Sequence, residues 1–152
     1  MQKGRATDKA LLRSTVVKSE QTNSARRLQK DLKELEDCEI PLVGVSARPL
    51  SNNLLIWHGN IRGPKGTDYE SGVFHIIINF PVNYPVSPPA ITLCTPIPHR
   101  NVFGTVLCLD ILDANQKELY QGWTSAYTVQ TILIQLQSFL FEKLPEDRLV
   151  NH

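Results

Sequence analysis

The sequence predicts an α+β domain with an antiparallel meander sheet. Three features carry that prediction: an amphipathic helical pattern from Ser24, four consecutive strand-like runs between Leu42 and Thr95, and a strongly apolar helical stripe after Thr128. Strands that follow one another without intervening helices exclude a doubly wound parallel sheet. The expected order is an N-terminal helix, a four-stranded meander, an irregular segment carrying a thiol, and a central core helix.

Residues 1–23 hold Lys3, Arg5, Lys9, Arg13 and Lys18 against Asp8 and Glu20, with few large apolar side chains. That composition buries little surface and reads as a flexible, basic tail, so the folded domain is expected over 24–150. From Ser24, leucines at 28, 32 and 35 follow the i, i+4, i+7 spacing of one helix face, with Arg26, Arg27, Lys30, Lys33 and Glu34 between them. Asn23 or Ser24 is the expected N-cap, and the helix should end before Pro41.

Leu42 to Pro49 and Leu54 to Ile61 read as two strands joined at Ser51, Asn52 and Asn53. After the turn Arg62, Gly63, Pro64, Lys65, Gly66, the run Val73 to Phe80 alternates with period two, placing Phe74, Ile76, Ile78 and Phe80 inward. His75 falls on the outward face, as a surface or rim histidine rather than a ligand. Prolines at 81, 85, 88, 89, 96 and 98 leave room for one short strand, Ala90 to Thr95, inside a rigid loop. Thr128 is placed to cap a helix with the stripe Val129, Ile132, Leu133, Leu136 and Leu140, ended by Pro145.

A chain of 152 residues with 41% hydrophobic content fits one soluble domain, and a net charge of +1 gives no global attraction to nucleic acid or an anionic membrane. Cys38, Cys94 and Cys108 are an odd number without paired metal-ligand spacing, which fits free thiols in the cytoplasm or nucleus. No apolar run is long enough to span a membrane, and the first twenty residues are not a signal peptide. No internal repeat, glycine-rich phosphate loop or paired carboxylate motif is visible.

The chemistry-bearing stretch runs from His99 to Trp123. His99 and Asn101 precede the turn glycine Gly104, and Cys108 lies within Val106, Leu107, Cys108, Leu109, Asp110, Ile111, Leu112. An imidazole, a side-chain amide and a thiol across one turn make a candidate acyl-transfer site. A free cysteine among leucines and valines is more often a small buried hydrophobe, and the residues alone favour that reading.

The motifs together resemble the ubiquitin-conjugating enzyme family over about Ser24 to Val150. The helix Ser24 to Leu32 is similar to that family's first helix. Trp57 through Ile61, Gly63, Pro64, Tyr69, Glu70, Gly72, Val73 and Phe74 resemble its second and third strands. Phe80, Pro81, Tyr84, Pro85, Pro88 and Pro89 resemble its proline signature, with the second of the paired prolines expected cis. His99 and Asn101 resemble the outer positions of its His-Pro-Asn motif, and Cys108 to Leu112 its active-site run.

The resemblance implies that Cys108 accepts ubiquitin or a ubiquitin-like protein from an activating enzyme as a thioester, then passes it to a substrate lysine or a ligase. It assigns Asn101 to the oxyanion or its loop, His99 to holding that loop, and Asp147 to orienting or deprotonating the lysine. Arg26, Arg27 and Lys30 fall where the family helix meets the activating enzyme. Val86, Ser125 and Ala126 fall where RING or HECT type ligases dock, and Ser46 where some members bind a second ubiquitin noncovalently. ATP and Mg2+ are used by the activating enzyme, so this chain is expected to need no cofactor and no metal.

The chain also departs from the family pattern. Arg100 replaces the motif's proline, and the approach from Asn101 to Cys108 is one residue shorter than usual. Asp113 to Gly122 is longer, and its Lys117, Glu118 and Tyr120 are expected to form a gate or contact beside the thiol. Val86 and Ser125 stand where many members have an aromatic residue and a proline, and the usual two C-terminal helices are expected to be absent. A noncatalytic variant that scaffolds a ligase or binds ubiquitin is the alternative reading.

Overall fold

The computed structural model describes residues 13, 23–39, 42–95, 97, 102–115 and 122–141. The first helix, α1, covers 23–36 among these. Asn23 and Ser24 stand inside it rather than capping it, and Ser24 is fully buried. Six strands follow among the described residues: β1 (Val45–Leu50), β2 (Asn53–Arg62), β3 (Val73–Asn79), β4 (Ala90–Leu93), β5 (Val102–Phe103) and β6 (Val106–Leu107). Among the described residues a 3-10 turn, Asp110–Leu112, precedes a further helix, α2 (Val129–Leu140).

The strands form one antiparallel sheet in the order β1-β2-β3-β4-β6-β5. The four-stranded meander is present, and the segment expected to be irregular extends it with a small hairpin. Each added strand is two residues long, too short for alternation to show in sequence. Its turn depends on Gly104, whose φ of 64° suits a residue without a Cβ. The fourth strand stops at Leu93, short of Thr95.

Period-two alternation places Trp57 and Ile61, Phe74, Ile76 and Ile78, Ile91 and Leu93, and Leu107 on the face that carries the core. Leu28 of α1 and the full predicted stripe of α2 join the same cluster. Thr128 caps α2, accepting from the Thr131 amide. The helix ends at Leu140 with Phe141 as its C-cap, before Pro145 is reached.

The proline-rich connection after β3 holds a cis peptide at Tyr84–Pro85, not at the second of the paired prolines. Asp113 and Trp123 bracket the long segment before α2: the Trp123 amide donates to the Asp113 carbonyl at 3.0 Å, so its ends meet. Lys117, Glu118 and Tyr120 lie outside the described residues.

Candidate functional site

Cys108 follows β6 directly and precedes the 3-10 turn. The ladder between β4 and β6 fixes its approach, pairing Ile91 with Leu107 and Thr92 with Val106. Leu107 and Leu109 point into the core on either side of it, which turns Cys108 outward. Its thiol is exposed, against the buried reading that composition alone favoured. The turn is closed by the Leu112 amide on the Leu109 carbonyl and the Asp113 amide on the Asp110 carbonyl, each at 3.0 Å.

A cleft of about 460 Å³ opens beside the thiol, lined by Pro89, Ala90, Val106, Leu109 and Asp110 among others. It is bounded by strand residues on one side and the 3-10 turn on the other. His99, Asn101 and Asp147 lie outside the described residues.

A buried polar network ties α1 to the proline-rich loop and to the start of α2. Asp31 sits on the inward stripe of α1 with its side chain 1% exposed, and Arg27 holds it at 3.0 Å from one turn earlier. Tyr84 donates to the other carboxylate oxygen at 2.5 Å, and the Val129 amide at the start of α2 approaches that oxygen at 3.3 Å. A negative side chain at a helix N-terminus is favoured by the helix dipole. The Arg27 guanidinium also donates to the Tyr127 carbonyl at 2.9 Å and lies over the Tyr84 ring. Burial, then the hydrogen bond to Asp31, holds the Tyr84 hydroxyl's pKa far above the usual phenol range. The sequence signal for this network is a carboxylate at position i+3 from Leu28, on a face otherwise apolar.

Tyr84 also packs against Trp123, whose indole N–H donates to the Pro85 carbonyl at 2.9 Å. That bond joins the proline-rich loop to the loop before α2. Val86 projects from the first, 74% exposed, and Ser125 and Ala126 are exposed on the second. Arg26 and Lys30 are exposed on α1 and in no ion pair among the described residues, whereas Arg27 is engaged inward. Ser46 is exposed on the outward face of β1, opposite Asn60.

Residues 27–152 match the family model described as "Ubiquitin-conjugating enzyme". The chain belongs to the ubiquitin-conjugating enzyme family. It is 38% identical over 120 residues to ubiquitin-conjugating enzyme E2 2 of Aspergillus fumigatus, covering 78% of this chain and 74% of that protein. It is 44% identical over 119 residues to the Schizosaccharomyces pombe ubiquitin-conjugating enzyme E2-20 kDa, covering 77% and 62% respectively. The solved structure of human ubiquitin-conjugating enzyme E2 G1 superposes with a TM-score of 0.67 at 36% identity, covering 76% of this chain and 93% of that one.

Within this ubiquitin-conjugating fold, the candidate thiol lies toward the far end of the sheet from β1, and Val86, Ser125 and Ala126 sit on two loops pinned together by Trp123. No described helix is long and apolar enough to cross a membrane.

Proposed function

We propose that Cys108 is the residue on which this ubiquitin-conjugating enzyme carries ubiquitin, or a ubiquitin-like protein, as a thioester. The observation that carries this reading is the exposed Cys108 thiol, held between a strand end and a closed turn at the mouth of the cleft. In loading, the Cys108 thiolate attacks the carbonyl of the acyl group held on the activating enzyme's thiol. The carbon–sulfur bond to Cys108 forms, the other breaks, and the activating enzyme's thiolate leaves; exchange between two thiols costs little. Discharge is attack by a neutral lysine amine: an isopeptide bond forms, Cys108 leaves as thiolate, and the amine gives up a proton.

The lysine step passes through a tetrahedral oxyanion. The Asn101 amide is assigned to stabilise it or the loop that does so, with His99 holding that loop. Asp147 is assigned to orient or deprotonate the incoming amine. Arg26 and Lys30 are the exposed cations of the surface meeting the activating enzyme, with Arg27 fixing the helix beneath them. Val86, Ser125 and Ala126 form the ligase surface, for a RING or HECT type partner, and Ser46 marks a noncovalent ubiquitin surface. The chain uses no cofactor of its own; ATP and Mg2+ serve the activating enzyme. Cytoplasm or nucleus is the compartment this chemistry fits, with free thiols and no membrane or nucleic-acid partner.

The test is a charging reaction with activating enzyme, Mg-ATP and ubiquitin, read on a nonreducing gel. One thiol-sensitive adduct is expected, lost in Cys108→Ala and kept in Cys38→Ala and Cys94→Ala. An adduct that survives Cys108→Ala overturns the assignment, and no adduct with ubiquitin or any ubiquitin-like protein favours the noncatalytic variant.

A further inference from the structure

The outward face of the sheet carries a chain of side-chain hydrogen bonds that all run one way. His58 on β2 faces Ile77, and His75 on β3 faces Asn60, so the two histidines are diagonal neighbours. His75 Nδ1 lies 3.1 Å from Asn60 Oδ1. An amide oxygen only accepts, so His75 carries its hydrogen on Nδ1 and turns the Nε2 lone pair toward His58 Nδ1, 2.8 Å away. Donation therefore runs from His58 to His75 to Asn60, and each bond polarises the next. With its oxygen taken by His75, Asn60 keeps its two amide hydrogens for a ligand. From β3 alone His75 reads as an isolated surface residue, because its partners lie on another strand.

The chain ends at a cleft of about 340 Å³, lined by Gly44, Ser46, Asn60, Arg62 and Val73 among others. Two rows of the sheet meet there. Ser46 stands opposite Asn60, and the Arg62 amide donates to the Gly44 carbonyl at 2.7 Å, which sets Arg62 in the next row beside Val73. Gly44 has a φ of 76° and no side chain, which leaves the space beside the Arg62 stem open; a Cβ there would sit 3.6 Å from Arg62 Cβ. Ser46, Asn60 and Arg62 are all exposed, and Arg62 is in no ion pair among the described residues.

The polar groups of this cleft are one-sided in chemistry. A hydroxyl, an amide N–H2 and a guanidinium line it, none of its lining residues is Asp or Glu, and none of the six strands contains either. Arg48, opposite His58 on β1, adds a second exposed cation to the face, in no ion pair among the described residues. We propose that the cleft takes the carboxylate of a Glu or Asp side chain from a short acidic segment of a partner protein, with Arg62 pairing with it and Ser46 and Asn60 donating to it. One guanidinium matches the single charge and two oxygens of a carboxylate. Leu42 and the exposed Val73 supply apolar surface for the neighbouring side chains of that segment.

An exposed ion pair contributes little alone, so the carboxylate selects the segment and the flanking apolar contacts hold it. The anion also lies at the acceptor end of the chain from His58 through His75 to Asn60, where its charge strengthens every bond along it. The inference does not depend on ubiquitin using Ser46. It assigns the same face a ligand of different chemistry, and the two would compete for Ser46.

The test is NMR titration of the whole isotope-labelled chain with the blocked peptide Gly-Ser-Val-Glu-Val-Ser-Gly and its glutamine counterpart. Saturable shifts are expected at the Ser46, Asn60 and Arg62 backbone amides and at the Asn60 side-chain amide. The glutamate peptide should bind about threefold to fivefold more tightly than the glutamine peptide at low salt, with the difference shrinking at high salt. Arg62→Gln should make the two peptides bind alike, and His75→Phe should weaken the glutamate peptide a few-fold by releasing Asn60. Unchanged urea midpoints show that the variants still fold. No saturable shift, equal affinity for the two peptides in the natural chain, or a glutamate preference that persists in Arg62→Gln overturns the proposal. Ubiquitin as a second titrant separates the occupants: ubiquitin binding that is lost in Arg62→Gln, with no response to the glutamate peptide, assigns the cleft to ubiquitin and overturns it as well.

Discussion

Tyr84 donates its phenolic hydrogen to Asp31 over 2.5 Å, and that bond couples the proline-rich loop beside the cleft to the first helix. Tyr84→Phe keeps the ring and its edge contact with Phe80 while deleting the donor. The loss should be about 1.5–3 kcal/mol, the range for hydrogen bonds to charged groups. Asp31→Ala should cost more, because it also strips Arg27 and the Val129 amide of their acceptor. Urea denaturation with an unchanged m value measures both, and a Tyr84→Phe loss inside experimental error would contradict this account.

The same bond predicts an alkaline limit to stability. The Tyr84 hydroxyl's pKa is raised in the fold, so the folded state keeps a proton that the unfolded chain gives up above its ordinary value of about 10. The contribution is fully present below that pH and declines as the pH rises past it, with a slope approaching about 1.4 kcal/mol per pH unit. Tyr84→Phe should flatten this part of the profile relative to the natural protein. Parallel curves for the two would sink the prediction.

Much of this architecture was legible from residue patterns. The stripe Val129, Ile132, Leu133, Leu136, Leu140 appears as the buried face of α2, and the alternation in β3 sorts its side chains correctly, because burial follows a single period in each element. What escaped were relations between elements. The β5–β6 hairpin has no period to read, the Arg27–Asp31 pair on α1 meets Tyr84 and Val129 from two distant segments, and His58 meets His75 only through strand register. The exposure of Cys108 lay in the same class: its neighbours are apolar, but Leu107 and Leu109 take the inward positions and leave it the outward one.

Thr128 offers a local test of that legibility. It caps α2 and its hydroxyl also reaches Glu34 on α1 at 3.4 Å. Thr128→Ala should cost about 1 kcal/mol, as N-cap removal does elsewhere, whereas Thr128→Ser should be close to neutral. Thermal or urea melts compare the two; equal losses would mean that the methyl group, not the cap, matters.

Arg26 and Lys30 are predicted to act on partner encounter and Arg27 on the fold. Arg26→Ala with Lys30→Ala should slow charging by the activating enzyme, more at low salt than at high, while leaving the urea midpoint within about 0.5 kcal/mol. Arg27→Ala should lower the midpoint, since it unpairs a carboxylate that is 1% exposed. A double variant that loses stability but charges at the normal rate would reverse these roles.

The proposed roles of Cys108 and Asn101 separate in time. Both steps pass through a tetrahedral oxyanion, but a thiolate enters with its charge already formed and needs an added oxyanion donor less than a neutral amine does. Asn101→Ala should therefore leave charging within a few-fold of normal and slow discharge onto free lysine by about 10²–10³, the usual loss for one oxyanion donor. Single-turnover discharge from a purified thioester isolates that step. An equal fall in both steps would assign Asn101 to folding instead, and a normal discharge rate would remove it from the chemistry altogether.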